Sequence, residues 1–252
     1  MYIVNADNYT PQQVISRYIQ KSDQVDNKPL SIREKAIKSA ALKLGTQSGL
    51  SWGAIIINHS LLNMSGSLDQ IYNFNSLMLR NHVVPPVITQ IDNSIAVTDD
   101  SHKISFSGHQ YTILKGAYFS TASPNWRNYI LLPVYKPAKP SYILLPKNPK
   151  EQKLWDITIH QSWKLGVNQA INIFTYHLEN LNRDYEGMLI YRRLLEMHVV
   201  NPPYIEKSIS KVSGGKKHLS IGSHSWEITS NVELHPNTSL WQPVLQNKKV
   251  KK

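Results

Sequence analysis

Ala41-Leu42-Lys43-Leu44-Gly45-Thr46-Gln47-Ser48-Gly49-Leu50-Ser51-Trp52-Gly53 sets four small residues, Ala41, Gly45, Gly49 and Gly53, at a strict spacing of four. Residues four apart share one face of an α-helix. The stretch Leu42–Asn63 reads as one long helix, yet each interior glycine costs it roughly 1 kcal/mol relative to alanine. Glycines repeated at this spacing therefore predict that another element packs very close to that face. The same stretch contains Gly49-Leu50-Ser51-Trp52-Gly53, which matches the G-x-S-x-G pattern of a hydrolase nucleophile elbow. The two readings imply different proteins.

Context decides between them. An elbow needs a strand before the serine and a helix after it. Here Ser31-Ile32-Arg33-Glu34 is a capping box that opens the helix well upstream, so Ser51 lies deep inside it. Asp99 and Asp100 fall in a predicted turn with no triad signature around them. No catalytic residue is assigned.

Working outward, Thr10-Pro11 predicts a short first helix, with Val14, Ile15, Tyr18 and Ile19 on its apolar face. Gly66 reads as the stop of the long helix. Ser67-Leu68-Asp69-Gln70 is a second capping box, opening a helix carried by Leu68, Ile71, Tyr72, Met78 and Leu79. That helix must end by His82-Val83-Val84-Pro85-Pro86, because proline lacks a donor and restricts the residue before it. Ile95 and Val97, then Ile104 and Phe106, then Tyr111 and Ile113 after Ser107-Gly108, predict short antiparallel strands joined by turns. Tyr118-Phe119 is expected to extend that sheet. Pro133, Pro137, Pro140, Pro146 and Pro149 mark an extended connector. Asn148-Pro149-Lys150-Glu151 caps a second long helix, with a break expected near Asp184–Gly187 before Met188–Met197.

The second half of the chain echoes the first. His198-Val199-Val200-Asn201-Pro202-Pro203 matches His82-Val83-Val84-Pro85-Pro86, and Ser220–Trp226 matches Ser105–Tyr111. Thr158, Ser162, Gly166, Ala170 and Phe174 stand 117 residues after Ala41, Gly45, Gly49, Gly53 and Ile57. Each half reads as long helix, shorter helix, Pro-Pro break, β-hairpin and Trp, the signature of a duplicated unit that packs on its twin. In the second half Asn168 takes the place of Ser51, so the unit does not require a nucleophile there. The ladder then predicts a helix crossing, Gly45, Gly49 and Gly53 against Ser162, Gly166 and Ala170. Rows spaced by four interlock at about −50°, and dispersion at close approach offsets what the glycines cost.

Composition bounds the function. The 252 residues are 41% hydrophobic, enough for a core, with no Cys and a formal charge of +11. The absence of Cys removes disulfides, thiolate catalysis and Cys-ligated zinc. The charge suits an acidic partner, although the lysines cluster only in the tail Lys248-Lys249-Val250-Lys251-Lys252. Met1–Thr10 has no secretory pattern, and Lys43–Asp69 is too polar to span a membrane. His102, His109, His218 and His224 sit at strand or turn positions without nearby carboxylates, so neither metal nor cofactor is expected. Glu179, Asp184, Glu186 and Glu196 lie among Arg183, Arg192 and Arg193, which points to surface pairing. Gly214-Gly215-Lys216-Lys217 is a basic turn and not a phosphate loop. Tyr129, Tyr135, Tyr142, Tyr204 and Trp241 stand beside prolines and lysines in extended segments, where aromatics anchor interfaces.

Several blocks together resemble one family. Leu44-Gly45-Thr46-Gln47-Ser48-Gly49-Leu50-Ser51-Trp52, Ile71-Tyr72-Asn73-Phe74, Pro85-Pro86-Val87-Ile88 and Trp126-Arg127-Asn128-Tyr129 resemble the DotC/TraI family of type IVB secretion and conjugation systems. So do Trp163–Ala170, Arg183-Asp184-Tyr185-Glu186-Gly187-Met188 and Pro202-Pro203-Tyr204, and the blocks run in order from about Ser31 to Trp241. The resemblance implies a structural subunit of an outer-membrane core complex in the periplasm, a Dot/Icm-like or conjugation machine. It implies DotD-like and DotH-like partners, a homo-oligomeric ring, and a lipid anchor for which this sequence offers no Cys. The family carries no known catalytic residue.

The sequence thus predicts an α+β fold, residues 1–252 forming one domain. Within it, 1–30 is an N-terminal helix and arm, 31–132 the first repeat half, 133–149 the Pro-rich connector, 150–245 the second half and 246–252 a basic tail. Helices pack centrally through small-residue faces. Pro85, Pro86, Trp126, Tyr129, Pro202, Pro203, Tyr204 and Trp241 are the candidate interface residues. The expected function is scaffolding of protein or DNA–protein transfer, and direct nucleic-acid binding is not expected. A DNA-binding conjugation accessory protein is the alternative that the charge suggests, and a cell-wall or ester hydrolase built on Ser51 is the enzymatic one.

Overall fold

The computed structural model describes residues 30–97, 104–215 and 217–241. The predicted helix after Thr10, the residues Asp99, Asp100 and His102, and the basic tail lie outside them. The fold is α+β. Among the described residues two helices, α1 (Ile32–Asn63) and α2 (Ser65–Ile71), precede four strands, and two more, α3 (Trp126–Ile130) and α4 (Pro149–Glu196), precede another two. The strands are β1 (Val83–Val84), β2 (Val87–Val97), β3 (Ile104–Lys115), β4 (Tyr118–Phe119), β5 (Tyr204–Gly215) and β6 (His218–Ser230). They form three antiparallel two-stranded sheets, β1 with β4, β2 with β3 and β5 with β6.

The chain divides into two compact units. Among the described residues the first takes 30–71 and 126–180, the second 72–125 and 181–241. Each unit therefore draws on both halves of the predicted repeat.

In the first unit the Ser31 hydroxyl accepts from the Glu34 amide while the Glu34 carboxylate accepts from the Ser31 amide at 2.7 Å. This reciprocal cap satisfies two otherwise unpaired donors and starts α1. The helix runs 32 residues and buries Ile37, Ala41, Leu44, Gly45, Ser48, Gly49 and Gly53 along one stripe. Ile37, Ala41 and Leu44 pack with Trp155 and Ile159 of α4. The break comes at Met64, so Gly66 lies inside α2 and does not stop α1.

In the second unit the core is Val83, Ile88, Ala117, Tyr191, Leu194, Val199, Val200 and Val232. The helix predicted through Leu79 ends at Ile71. Asn73 then caps a 3-10 turn, Phe74–Leu77, by accepting from the Ser76 amide, the usual competition of a short polar side chain with helix continuation. Strand β3 runs unbroken through Ser107-Gly108, where a turn was expected. Tyr118-Phe119 does not extend the hairpin; it pairs with Val83-Val84 instead. Both hairpins shift register at their first residue, between Val87 and Ile88 and between Tyr204 and Ile205. His82 and His198, each preceding a Val-Val pair, both hold positive φ, 59° and 58°.

The expected break at Asp184–Gly187 does not occur: α4 is continuous over 48 residues. A Cβ on Gly187 would meet the Val87 side chain and stand 3.0 Å from the Ile88 carbonyl oxygen. That glycine is spent on the approach of β2, not on ending the helix. The second half consequently has one long helix where a long and a shorter one were expected.

Candidate assembly interface

The small-residue stripe is where α1 and α4 touch. A Cβ on Gly45 would collide with the Ser162 hydroxyl and stand 2.9 Å from the Ile159 carbonyl oxygen. On Gly49 it would meet the backbone of Trp163, with the carbonyl carbon at 2.9 Å, and on Gly53 it would lie 2.7 Å from the Ala170 Cβ. From the other side, a Cβ on Gly166 would strike the Thr46 carbonyl oxygen and stand 2.7 Å from the Leu50 nitrogen. The partners advance together, 159–162, 163, then 167–170, so the two helices run in the same direction along this contact. Backbone thus meets backbone over about two turns, which only Gly, Ala and Ser allow. The hydroxyls bring no orphan polar group: Ser162 donates to the Thr158 carbonyl at 2.7 Å and Thr158 to the Leu154 carbonyl at 2.6 Å. At the flank Trp52 and Trp163 meet with ring centroids 5.0 Å apart. The Gly49–Gly53 pattern is therefore a helix interior packed against a second backbone, without the strand an elbow requires.

Two carboxylates fasten the rest of this unit. Asp69 of α2 accepts from the Trp126 indole at 2.7 Å and from both terminal nitrogens of Arg127, at 2.5 and 3.0 Å. The Arg127 guanidinium lies 4.3 Å from the centroid of the Trp126 ring. Arg127 first, and then the Trp126 indole, hold the Asp69 carboxyl below its ordinary range. Glu151, at the start of α4, takes a forked pair from Arg33 at 2.8 and 3.2 Å. Its carboxyl is lowered chiefly by that bond, against the opposing effect of burial.

The proline connector is fixed along α1 by side chains of that helix. Asn58 closes a two-way bond on Leu132, donating to its carbonyl at 2.8 Å and accepting from its amide at 2.9 Å. Gln47 accepts from the Ala138 amide at 2.9 Å, and Arg33 donates to the carbonyls of Ile143 and Leu145.

In the second unit the family-like blocks again find one another. Tyr72 donates to Asn182 at 2.5 Å, and the Tyr72 and Phe74 rings meet Tyr185 edge-on at 5.4 and 5.1 Å. Asp184 is buried, not on the surface, and is paired with Lys115 of β3 at 2.5 Å and with Arg183 at 2.9 Å. Asn231 accepts from the amides of Ala117 and Val232, at 3.0 and 2.8 Å, joining the ends of the two hairpins. The Tyr191 hydroxyl, buried without a polar partner, has its pKa pushed up to about 12 by that burial.

The candidate interface residues separate by burial. Trp126 is fully buried, and Pro85, Pro86 and Pro203 are buried; in this chain these pack the interior and offer little surface to a neighbour. Tyr129 is half-buried, while Pro202, Tyr204 and Trp241 are exposed. The Trp241 indole is anchored on the His235 carbonyl at 3.0 Å. His109 departs from expectation: its ring lies 2.6 Å from Asp92 across the β2–β3 pair, so a carboxylate is at hand. Among the described residues no three His, Asp or Glu side chains converge as metal ligands would. No helix among them is long and apolar enough to cross a membrane. Sequence reading missed Asn58, Gln47, Arg33, Asp69 and Asn231. Isolated polar residues carry no periodic signal: Asp69 and Arg33 stand inside the two capping boxes and Gln47 inside the family-like block Leu44–Trp52, but none of these motifs says what its side chain reaches across the fold.

Comparison with curated proteins returned no match. Comparison with family models returned one, described as type IV secretory system, conjugal DNA–protein transfer, over residues 31–243. That span takes in both long helices, both hairpins and each of the contacts described above, and the chain belongs to this type IV secretory, conjugal DNA–protein transfer family.

Proposed function

We propose that this chain is a structural subunit of the outer-membrane core complex of a type IVB secretion or conjugation system. In this reading it works in the periplasm, builds a homo-oligomeric ring with DotD-like and DotH-like subunits, and scaffolds passage of protein or DNA–protein cargo. Its role is interface formation and not catalysis. The observation that carries the reading is the family match across residues 31–243. In support, the blocks that resemble the family serve contacts within the fold: 44–52 on 163–170, 71–74 on 182–185, 87–88 on 187. A signature made of packing residues suits a part shaped to be built with.

The test is affinity purification of the tagged chain from its native cells after mild solubilisation of the envelope. Recovery of DotD-like and DotH-like subunits in fixed proportion is expected; recovery with DNA alone overturns the proposal. The charge of +11 favours one second reading, a DNA-binding accessory of conjugation. That reading requires affinity for DNA to fall steeply with salt as several neutralised phosphates regain counterions.

A further inference from the structure

Between Pro133 and Lys147 the chain has no regular structure apart from the 3-10 turn Tyr142–Leu144. Pro133, Pro137, Pro140 and Pro146 fix φ and remove donors, which presets an extended path. Gln47 and Arg33 tie that path to α1 at Ala138, Ile143 and Leu145, and Asn58 secures its start at Leu132. The strap is ordered before anything binds it, so a ligand does not bear the entropy of ordering it.

Its outward side is unusual. Tyr135 is 70% exposed, Tyr142 81% and Ile143 67%. Lys136, Lys139 and Lys147 are exposed and join none of the ion pairs among the described residues, whereas the nearby Arg33 and Lys150 are taken by Glu151 and Glu34. The amides of Val134, Tyr135, Lys136 and Lys139 find no acceptor among the described residues; only Ala138 between Pro133 and Pro140 does. Beside the strap a cavity of about 280 Å3 opens, walled by Leu50, Pro133, Tyr135 and Ala138 with Gln47, Ser51 and Lys136 at its polar side. Donors, cations and a recess therefore lie along one extended path. The carboxylate nearest to them, Glu151, accepts from the Lys147 amide at 2.8 Å and is held by Arg33, which leaves the three lysine ammonium groups without an ion pair among the described residues.

We propose that the strap 133–147 is the docking site for an extended acidic segment of a neighbouring polypeptide. Carboxylates of that segment meet Lys136, Lys139 and Lys147, its carbonyls meet the free amides, and one of its apolar side chains enters the recess beside Tyr135. The inference rests on the scaffold reading and gives the chemistry of one neighbour. Charge complementarity selects an acidic partner. The recess and the exposed Val134 and Ile143 favour a polypeptide, because an extended strand presents carbonyls to the amides and a side chain to the recess at once, which neither a row of bases nor a flat lipid surface does.

Two measurements test it on the full chain. In the first, the probe is a short labelled peptide in which Glu and Asp alternate with Val, compared with a single-stranded thymidine oligonucleotide and with phosphatidylglycerol–phosphatidylethanolamine vesicles. Peptide binding is expected to fall at least about tenfold in the Lys136→Glu/Lys139→Glu/Lys147→Glu variant, and again in Tyr135→Ser, with circular dichroism unchanged. Equal peptide affinity in wild type and variants overturns the inference. So does binding of the oligonucleotide or the vesicles that the same substitutions abolish. In the second, wild type and the triple variant are purified from native cells. Loss of one transfer-system subunit with retention of the others supports the strap. Unchanged recovery of all of them overturns the strap and leaves the scaffold reading intact, whereas a wild type that recovers none of them overturns the scaffold reading itself.

Discussion

At the scale of single residues, the chain shows what a glycine is for. In the sequence Gly45, Gly49, Gly53, Gly66, Gly166 and Gly187 look alike; in the fold they have three different surroundings. Gly49→Ala sets a Cβ 2.9 Å from the carbonyl carbon of Trp163 and 3.0 Å from its Cα, and backbone cannot swing aside. We expect a net loss of about 1–2 kcal/mol after the roughly 1 kcal/mol gained in helix propensity, read as a drop of several degrees in melting temperature. Gly49→Leu should leave no folded α1–α4 contact. Gly66 has open space around its Cβ position, so Gly66→Ala should stabilise by about 0.5–1 kcal/mol; equal melting shifts for Gly49→Ala and Gly66→Ala would refute the distinction. Lys115→Met removes one cation from the buried Asp184 but leaves Arg183 beside it. The expected cost is about 1–3 kcal/mol in urea unfolding, and Asp184→Asn in the same background should recover part of it by removing the buried charge.

At the scale of elements, what the sequence made legible is what repeats with a local period. The capping box at Ser31 and Glu34 placed the start of α1 to the residue. Alternation found strands of the first hairpin, though with a turn at Ser107-Gly108 where β3 is continuous, and the second hairpin was legible as an echo of the first. Where two signals met, the nonlocal one prevailed. Asp184 and Gly187 looked like a helix break because polar and flexible residues favour loops, yet β3 supplies a cation to the one and β2 covers the other. The connector is the opposite case: prolines announced an extended segment, but nothing in it said that Asn58 would fasten its first residues. Asn58→Leu leaves the amide and carbonyl of the buried Leu132 unpaired. That should cost about 1–3 kcal/mol and show locally, as faster hydrogen exchange and protease cleavage between Leu132 and Lys139 with α4 still protected.

At the scale of the whole molecule, the charge of +11 makes the few carboxylates count. Asp69, Glu151, Glu34 and Asp92 all titrate below their ordinary values, chiefly through Arg127, Arg33, the Ser31 amide and Gln90 respectively. A carboxylate with a lowered folded pKa contributes stability that is present above its unfolded pKa and is lost as pH falls through the folded one. Asp156 has the opposite sign, raised by burial, and so gives a little stability back on acidification. With four groups of the first sign and one of the second, denaturation midpoints should hold steady from neutrality down to the ordinary carboxylate range and then fall. A midpoint that rises on acidification through that range would contradict these pairs. High salt should narrow the difference, most of all for Asp92 with His109 and Asp69 with Arg127, where both partners are at least a third exposed.

By itself the sequence determined the helical stripe of small residues, the caps that open α1 and α4, the alternation within the hairpin strands and the order of blocks that marks the family. All of these are carried by spacing along the chain. The box at Ser67 is not among them, since it falls inside α2 instead. The tertiary structure decided which face each small residue serves, that α1 and α4 run in the same direction along their contact, that Trp126, Pro85, Pro86 and Pro203 are interior, and that the connector is strapped to α1 with its tyrosines and lysines outward. The physical reason is range. A period of four or two is a property of neighbours, whereas the atom that would strike a Cβ on Gly49 belongs to Trp163, more than a hundred residues along the chain, and only the packed fold brings the two together.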